Sequence, residues 1–332
     1  MEPVTHSLTA WMLSRAGLNR WCGRATLVAV TAANAPDLDF ISALGGERAI
    51  LEWHRGPTHS LLLAPLVALV PLVLLWPWLR GQTGARRAYL VSLAGVLSHD
   101  LLDWTNIYGL RLLEPWRQDW HALDLNSVVD FWIAAILIGA AGWLALARLV
   151  SGEIGTRAPG GRGIAIFALA AVLAFDLGRF FLHARALEVL DSRLYGGEPP
   201  RRVAAFPTIF NPFLWRGLVE TAGAYRLIEV NLLGEFDPAA GRVVWKADPG
   251  PARERASATA PFRTFLWFAR YPLWSVVPLD EPEGARKVQV LDLRFADPGE
   301  DRFCATAIVT SGGRILRAWF QYEPPGARPR MR

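Results

Sequence analysis

The chain has 332 residues, is 52% hydrophobic and carries a formal charge of +5 at neutral pH. Its mean hydropathy is +0.22 and its isoelectric point about 9.6. Soluble domains of this length sit nearer neutral hydropathy, so a wholly soluble protein fits poorly. Cys22 and Cys304 are too few and too far apart for a disulfide framework or a cysteine metal cage. The arginines cluster between apolar runs, a pattern of membrane orientation and not of nucleic-acid binding.

Pro3 suits the first turn of a helix, and an apolar stretch follows to Ala16. Gly17-Leu18-Asn19 reads as a turn, and a second apolar stretch stops at Asn34-Ala35-Pro36. Together they predict a short helical hairpin dipping into the membrane. One straight helix would instead hold His6 and Asp37 more than ~40 Å apart, at about 1.5 Å per residue. Four further apolar runs, 60–79, 88–103, 128–150 and 163–183, approach spanning length. Arg15, Arg20 and Arg24 in the hairpin turn, Arg80, Arg86 and Arg87 after the first run, and Arg148, Arg157 and Arg162 before the last predict the cytoplasmic side. The start of the chain lacks the basic stretch and cleavage site of a secretory signal.

After a linker at 186–200, glycine, proline and charge rise and period-two alternation sets in. Strands are expected at 214–221, 224–232, 287–295, 303–310 and 314–322, with a tight turn at Ser311-Gly312-Gly313 and a short helix at 259–268. The expected fold is an α-helical multi-pass membrane domain over 1–185, a short N-terminal helical hairpin plus about four spans. A small mostly-β extramembrane domain follows over 201–323, and 324–332 reads as a disordered tail.

The histidine–carboxylate chemistry is confined to four motifs at the ends of apolar runs: Thr5-His6-Ser7-Leu8, Pro36-Asp37-Leu38-Asp39, His54-Arg55-Gly56-Pro57-Thr58-His59-Ser60-Leu61 and His99-Asp100-Leu101-Leu102-Asp103. Ionisable groups at membrane level need strong partners, and a shared metal ion is one. His99 and Asp103 are four apart on one helix face; either they chelate or they bond each other. Gly56 as a cap and Pro57 at the first helical position let His54 and His59 point at one place. Asp37 and Asp39 alternate on an extended stretch, so either both chelate or one ligates while the other orients a histidine. Thr5-His6-Ser7-Leu8 is echoed by Thr58-His59-Ser60-Leu61, which brings His6 into the set. The metal candidates are therefore His6, Asp37, Asp39, His54, His59, His99 and Asp103. This mixed nitrogen and oxygen set suits one or two divalent ions, zinc first and manganese or iron next. Such ions polarise a phosphoryl or carbonyl oxygen. Asp39, Arg55 and Asp100 are the catalytic candidates, the carboxylates for proton transfer and Arg55 either to clamp a phosphate or to snorkel at the interface. Asp124, Asp130 and His121 are weaker candidates, with helix capping the default for the acids. Asp176 and Arg179 read as an ion pair inside the last run, and His183 marks its exit.

These four motifs resemble the YdjM-like family of inner-membrane proteins, described as predicted metal-dependent hydrolases, over roughly the first 185 residues. Asn211-Pro212-Phe213-Leu214-Trp215-Arg216 is similar to an extension carried by some members. The resemblance implies a multi-pass prokaryotic inner-membrane protein with a metal site at the seven positions above. The expectation is a membrane-bound metal-dependent hydrolase acting on a phosphoester of a membrane lipid or lipid-linked substrate. Its metal site and C-terminal domain would lie on the non-cytoplasmic face. The alternatives are metal-ion transport or sensing without hydrolysis, and a non-catalytic envelope scaffold.

Overall fold

The computed structural model describes residues 1–81, 84–156 and 160–321; Arg157 and the expected disordered tail 324–332 lie outside them. Helix α1 (Pro3–Ala16) and helix α2 (Ala25–Ala33) form the expected hairpin. The Glu2 carboxylate accepts from Thr5 N and caps α1. Ser14 and Thr26 bond across the hairpin at 2.8 Å. The stretch holding Asp37 and Asp39 is not extended as expected: Pro36 opens a 3₁₀ segment (Pro36–Gly45) that leads into α3 (Glu47–Trp53), and a single 3₁₀ turn (Pro57–His59) follows.

The run 60–79 departs from expectation. It is not one span but three short helices, α4 (Ala64–Val67), α5 (Leu69–Leu74) and α6 (Trp76–Leu79). The cause is in the sequence: Pro65, Pro71 and Pro77 recur every six residues. Each removes a backbone donor and clashes with the carbonyl four residues earlier, so no continuous helix survives. Helix α7 (Ala85–Thr105) covers the second run. Helix α8 (Phe131–Glu153) covers the third, with the Asp130 side chain accepting from Trp132 N and Ile133 N, the capping role expected of it. Helix α9 (Arg162–Asp191) covers the fourth and runs eight residues beyond His183, through the stretch read as the start of a linker. By length and apolar character α8 and α9 can each cross a membrane. Two bent pairs, residues 25–45 and 47–74, bring the number to at most four. Helix α7, with Arg86, Arg87, Asp100 and Asp103, is not among them.

The C-terminal part is two four-stranded antiparallel sheets, each in chain order. The first holds β1 (Arg202–Pro207), β2 (Leu214–Glu220), β3 (Ala224–Asn231) and β4 (Arg242–Trp245). Helices α10 (Pro251–Ser257) and α11 (Ala260–Phe268) follow. The second sheet holds β5 (Pro272–Pro278), β6 (Arg286–Asp292), β7 (Cys304–Val309) and β8 (Ile315–Gln321). Strands β1, β4 and β5 and helix α10 went unread: Pro207, Pro272 and Pro278 punctuate β1 and β5, and β4 is four residues long, so their alternation is short.

Two apolar clusters join the two halves, and a third joins the two sheets. Ala186 and Leu190 of α9 pack on Trp215, Val219 and Ile228 of the first sheet. Phe262, Phe265 and Phe268 of α11 share a core with Val288, Val290, Ala305, Leu51 of α3 and Tyr108. Leu218 and Tyr225 meet Leu273 and Leu291, which seals sheet to sheet.

Candidate metal centre

Close packing of α7 on α2 sets the first coordinate of the site. A Cβ on Gly95 would stand 2.7 Å from the Ala29 carbonyl oxygen, so a glycine is what lets the helices approach. One turn later the His99 ring meets the end of α2, with its Nδ1 2.7 Å from the Ala33 carbonyl oxygen. That acceptor puts the ring proton on Nδ1 and leaves Nε2 with a free lone pair. Pro36 stops α2, and the chain turns so that Asp37 faces the same point.

Asp39 organises the second coordinate. Its Oδ1 lies 2.8 Å from His54 Nδ1. Its Oδ2 accepts from Arg55 N at 3.0 Å and Thr58 Oγ1 at 2.8 Å, and stands 3.2 Å from His59 Nδ1. Of the two readings of the aspartate pair, this geometry is the orienting one: Asp39 holds two imidazoles and their loop from behind. Gly56 is again needed, because a Cβ there would overlap the Arg111 guanidinium.

Four donors converge: Asp37, His59, His99 and Asp103. His59 Nε2 is 3.0 Å from His99 Nε2. Asp37 Oδ1 lies 3.5 and 3.7 Å from those nitrogens, and Asp103 Oδ2 3.7 and 3.5 Å. Donors about 2.0–2.2 Å from one ion at tetrahedral angles stand roughly 3.3–3.6 Å from one another. The donor set therefore fits a divalent cation. Unfilled polar valences support this. Both oxygens of Asp100 are buried without a hydrogen bond among the described residues. A second group, Asp39, His54 and His59, also lies within chelating distance. His54 Nδ1 and His59 Nδ1 both face Asp39 at hydrogen-bonding distance, so this group supports the four-donor site.

The remaining candidates surround these. His6 is buried and stacked on His99, ring centroids 3.7 Å apart, with Nε2 3.4 Å from Asp103 Oδ1; it is outside both chelating groups. The Met1 amino group also contacts Asp103 Oδ1. Arg55 is buried at a positive φ of 59°. Its Nη2 lies 3.1 Å from Asp103 Oδ2, its Nη1 donates to Asn106 Oδ1 at 2.9 Å, and its guanidinium covers the Tyr108 ring. Its head is thus turned inward onto Asp103 and not outward to the interface. Asn106 went unread: besides holding Arg55 it donates to Asp103 Oδ1 at 3.2 Å. Its signal was its place just after a helix end, three residues beyond Asp103.

The weaker candidates go elsewhere. Asp124 holds Arg270 of the C-terminal domain through two bonds of 2.8 and 2.7 Å. Burial, the largest single influence, would lower the Arg270 pKa, but the hydrogen bond and charge of Asp124 together with Tyr271 and Asp292 outweigh it and the pKa rises. His121 pairs through its backbone with Leu110. Asp176 and Arg179 do not form the expected ion pair: Asp176 accepts from Asn126 Nδ2 at 2.7 Å, and Arg179 donates to the Leu125 carbonyl and covers Trp215. His183 leans on the same Trp215. Trp120 and Tyr108 belong to the aromatic core shared with Phe268.

The protein YfhP of Bacillus subtilis (strain 168), an "uncharacterized protein" by its printed name, is 28% identical over 298 residues, covering 85% of this chain and 80% of YfhP. No solved structure matches. The family model of the YdjM inner membrane protein matches residues 1–185, which hold every donor of the cluster. The chain belongs to the YdjM inner membrane protein family.

Proposed function

We propose that the protein is a membrane-bound metal-dependent hydrolase whose substrate is a phosphoester of a membrane lipid or lipid-linked molecule. The observation that carries the reading is the four-donor cluster of Asp37, His59, His99 and Asp103, with the outer nitrogen of each histidine anchored so that its Nε2 faces the common centre. A two-histidine, two-carboxylate set suits zinc, with manganese or iron next. When bound, such an ion acts as a Lewis acid toward a phosphoryl oxygen. The protein's own groups have distinct tasks. Asp39 fixes the rings of His54 and His59. Arg55 and Asn106 hold Asp103 in place. Asp100, buried beside the donors without a hydrogen-bond partner, is the group poised to accept or give a proton. The reading places the site and the C-terminal domain on the non-cytoplasmic face, by the arginine distribution.

The test is metal analysis of the purified protein beside His59→Ala and Asp103→Ala, followed by phosphodiesterase and lipase assays on lipid vesicles. The expected result is bound metal in the parent, loss in both variants, and metal-dependent hydrolysis. Full metal content in both variants would end the reading. Bound metal with no turnover of any lipid class would favour transport or sensing.

A further inference from the structure

The loop between β1 and β2 presents an apolar surface that the metal chemistry does not use. Its residues Ile209, Phe210 and Phe213 are 51%, 68% and 37% exposed. The loop is not loose. Thr208 Oγ1 bonds the Asn211 carbonyl at 2.9 Å and the Leu214 carbonyl at 3.0 Å, and Asn211 Oδ1 accepts from Phe213 N at 3.0 Å. Three bulky apolar side chains are thus held outward by a preformed turn. Singly exposed apolar residues need no explanation, but a rigid contiguous group does.

Its position says what covers it. Trp132 Nε1 donates to the Phe210 carbonyl at 2.9 Å, and the Phe210 ring meets the Phe131 ring at 5.4 Å. Phe131 and Trp132 are the first two residues of α8, one of the two helices long and apolar enough to cross a membrane. Both are themselves well exposed, as is Val129 just before them. The loop therefore continues the apolar belt of α8 at the depth where a spanning helix leaves the hydrocarbon. Aromatic side chains prefer that depth, and their apolar faces are buried there by headgroups and upper acyl chains.

We infer that the β1–β2 loop of the C-terminal domain is inserted in the headgroup layer of the membrane that α8 spans, with Ile209, Phe210 and Phe213 in contact with lipid. The domain then rests on the bilayer surface, and is not held clear of it on a stalk. This rests on the membrane character of α8 and is independent of the metal.

The experiment uses the full chain in phosphatidylethanolamine–phosphatidylglycerol vesicles. An environment-sensitive fluorophore is attached at Phe210→Cys, at Ile209→Cys, and at Ser311→Cys in the β7–β8 turn as the aqueous control; Cys22 and Cys304 are both buried. The expected result is blue-shifted emission at the two loop positions, strong quenching by a lipid-borne nitroxide and weak quenching by iodide, with the reverse at Ser311. Water-like emission and iodide quenching equal to the control at both loop positions would overturn the inference. So would shielding from iodide without nitroxide quenching, which would identify a protein partner on the loop.

Discussion

Among the described residues are two fully buried arginine–aspartate pairs, one in each half, and they are finished to different degrees. In the C-terminal domain Arg294 Nε and Nη2 hold Asp292 Oδ2 at 2.9 and 2.8 Å. Its Nη1 and Nη2 then bond the carbonyls of Ile107 and Phe268, both at 3.1 Å. Asp292 also accepts from the backbone of Arg270 and Arg294. In the helical half the Arg55–Asp103 pair stands beside a carboxylate, Asp100, and an imidazole, His6, that have no hydrogen bonds among the described residues. Folding alone favours the first arrangement, because buried polar atoms without partners are costly. The second is what a site retains when its partner is a bound cation or substrate.

The sharpest way to break this contrast is Asp292→Ala. It leaves Arg294 buried and uncompensated, which costs about 3–5 kcal/mol. Denaturant unfolding in detergent should show that loss, and a loss below about 1 kcal/mol would mean the pair is not structural. Asp39→Asn probes the other pole. It weakens the support of His54 and His59 without removing any of the four converging donors, so zinc affinity by calorimetric titration should fall about 10–100-fold. Unchanged affinity would move Asp39 out of the supporting role. Gly95→Ala tests the packing that delivers His99. The new Cβ presses on the Ala29 carbonyl, with an expected cost of about 1–3 kcal/mol and weaker metal binding in the same sample. The smallest effect has the opposite sign. Asp100→Asn removes a buried charge with no partner, so the metal-free protein should gain on the order of 1 kcal/mol while turnover of the metal-loaded protein drops. A lower melting temperature for this variant would show that Asp100 already has a stabilising partner.

The hairpin and the converging motifs were legible because their signals are local. Proline and glycine mark the chain reversals, and a four-residue spacing puts His99 and Asp103 on one face. The division of labour between Asp37 and Asp39 was not legible. It depends on where the 54–59 loop sits, and that depends on Gly56 making room for Arg111, a residue 55 positions later. The three prolines of the run 60–79 were visible, yet apolar length outweighed them in the reading; the steric rule is the stronger of the two. The clamp on the 106–126 loop could not be read from its own residues. Arg294, Arg270, Asp176 and Arg179 reach it from both halves, at sequence distances no local pattern records.

Helix α9 gives that clamp a mechanical meaning. Its 30 residues span about 45 Å at roughly 1.5 Å each. Its lower turns pack among α1 and α8, while its last two turns are cemented into the first sheet. The rod has no break at the border between the two halves, and Arg179 ties it to the Leu125 carbonyl on the way. A tilt of this rod in a thicker or thinner bilayer would therefore carry the first sheet and the 106–126 loop with it, as one lever.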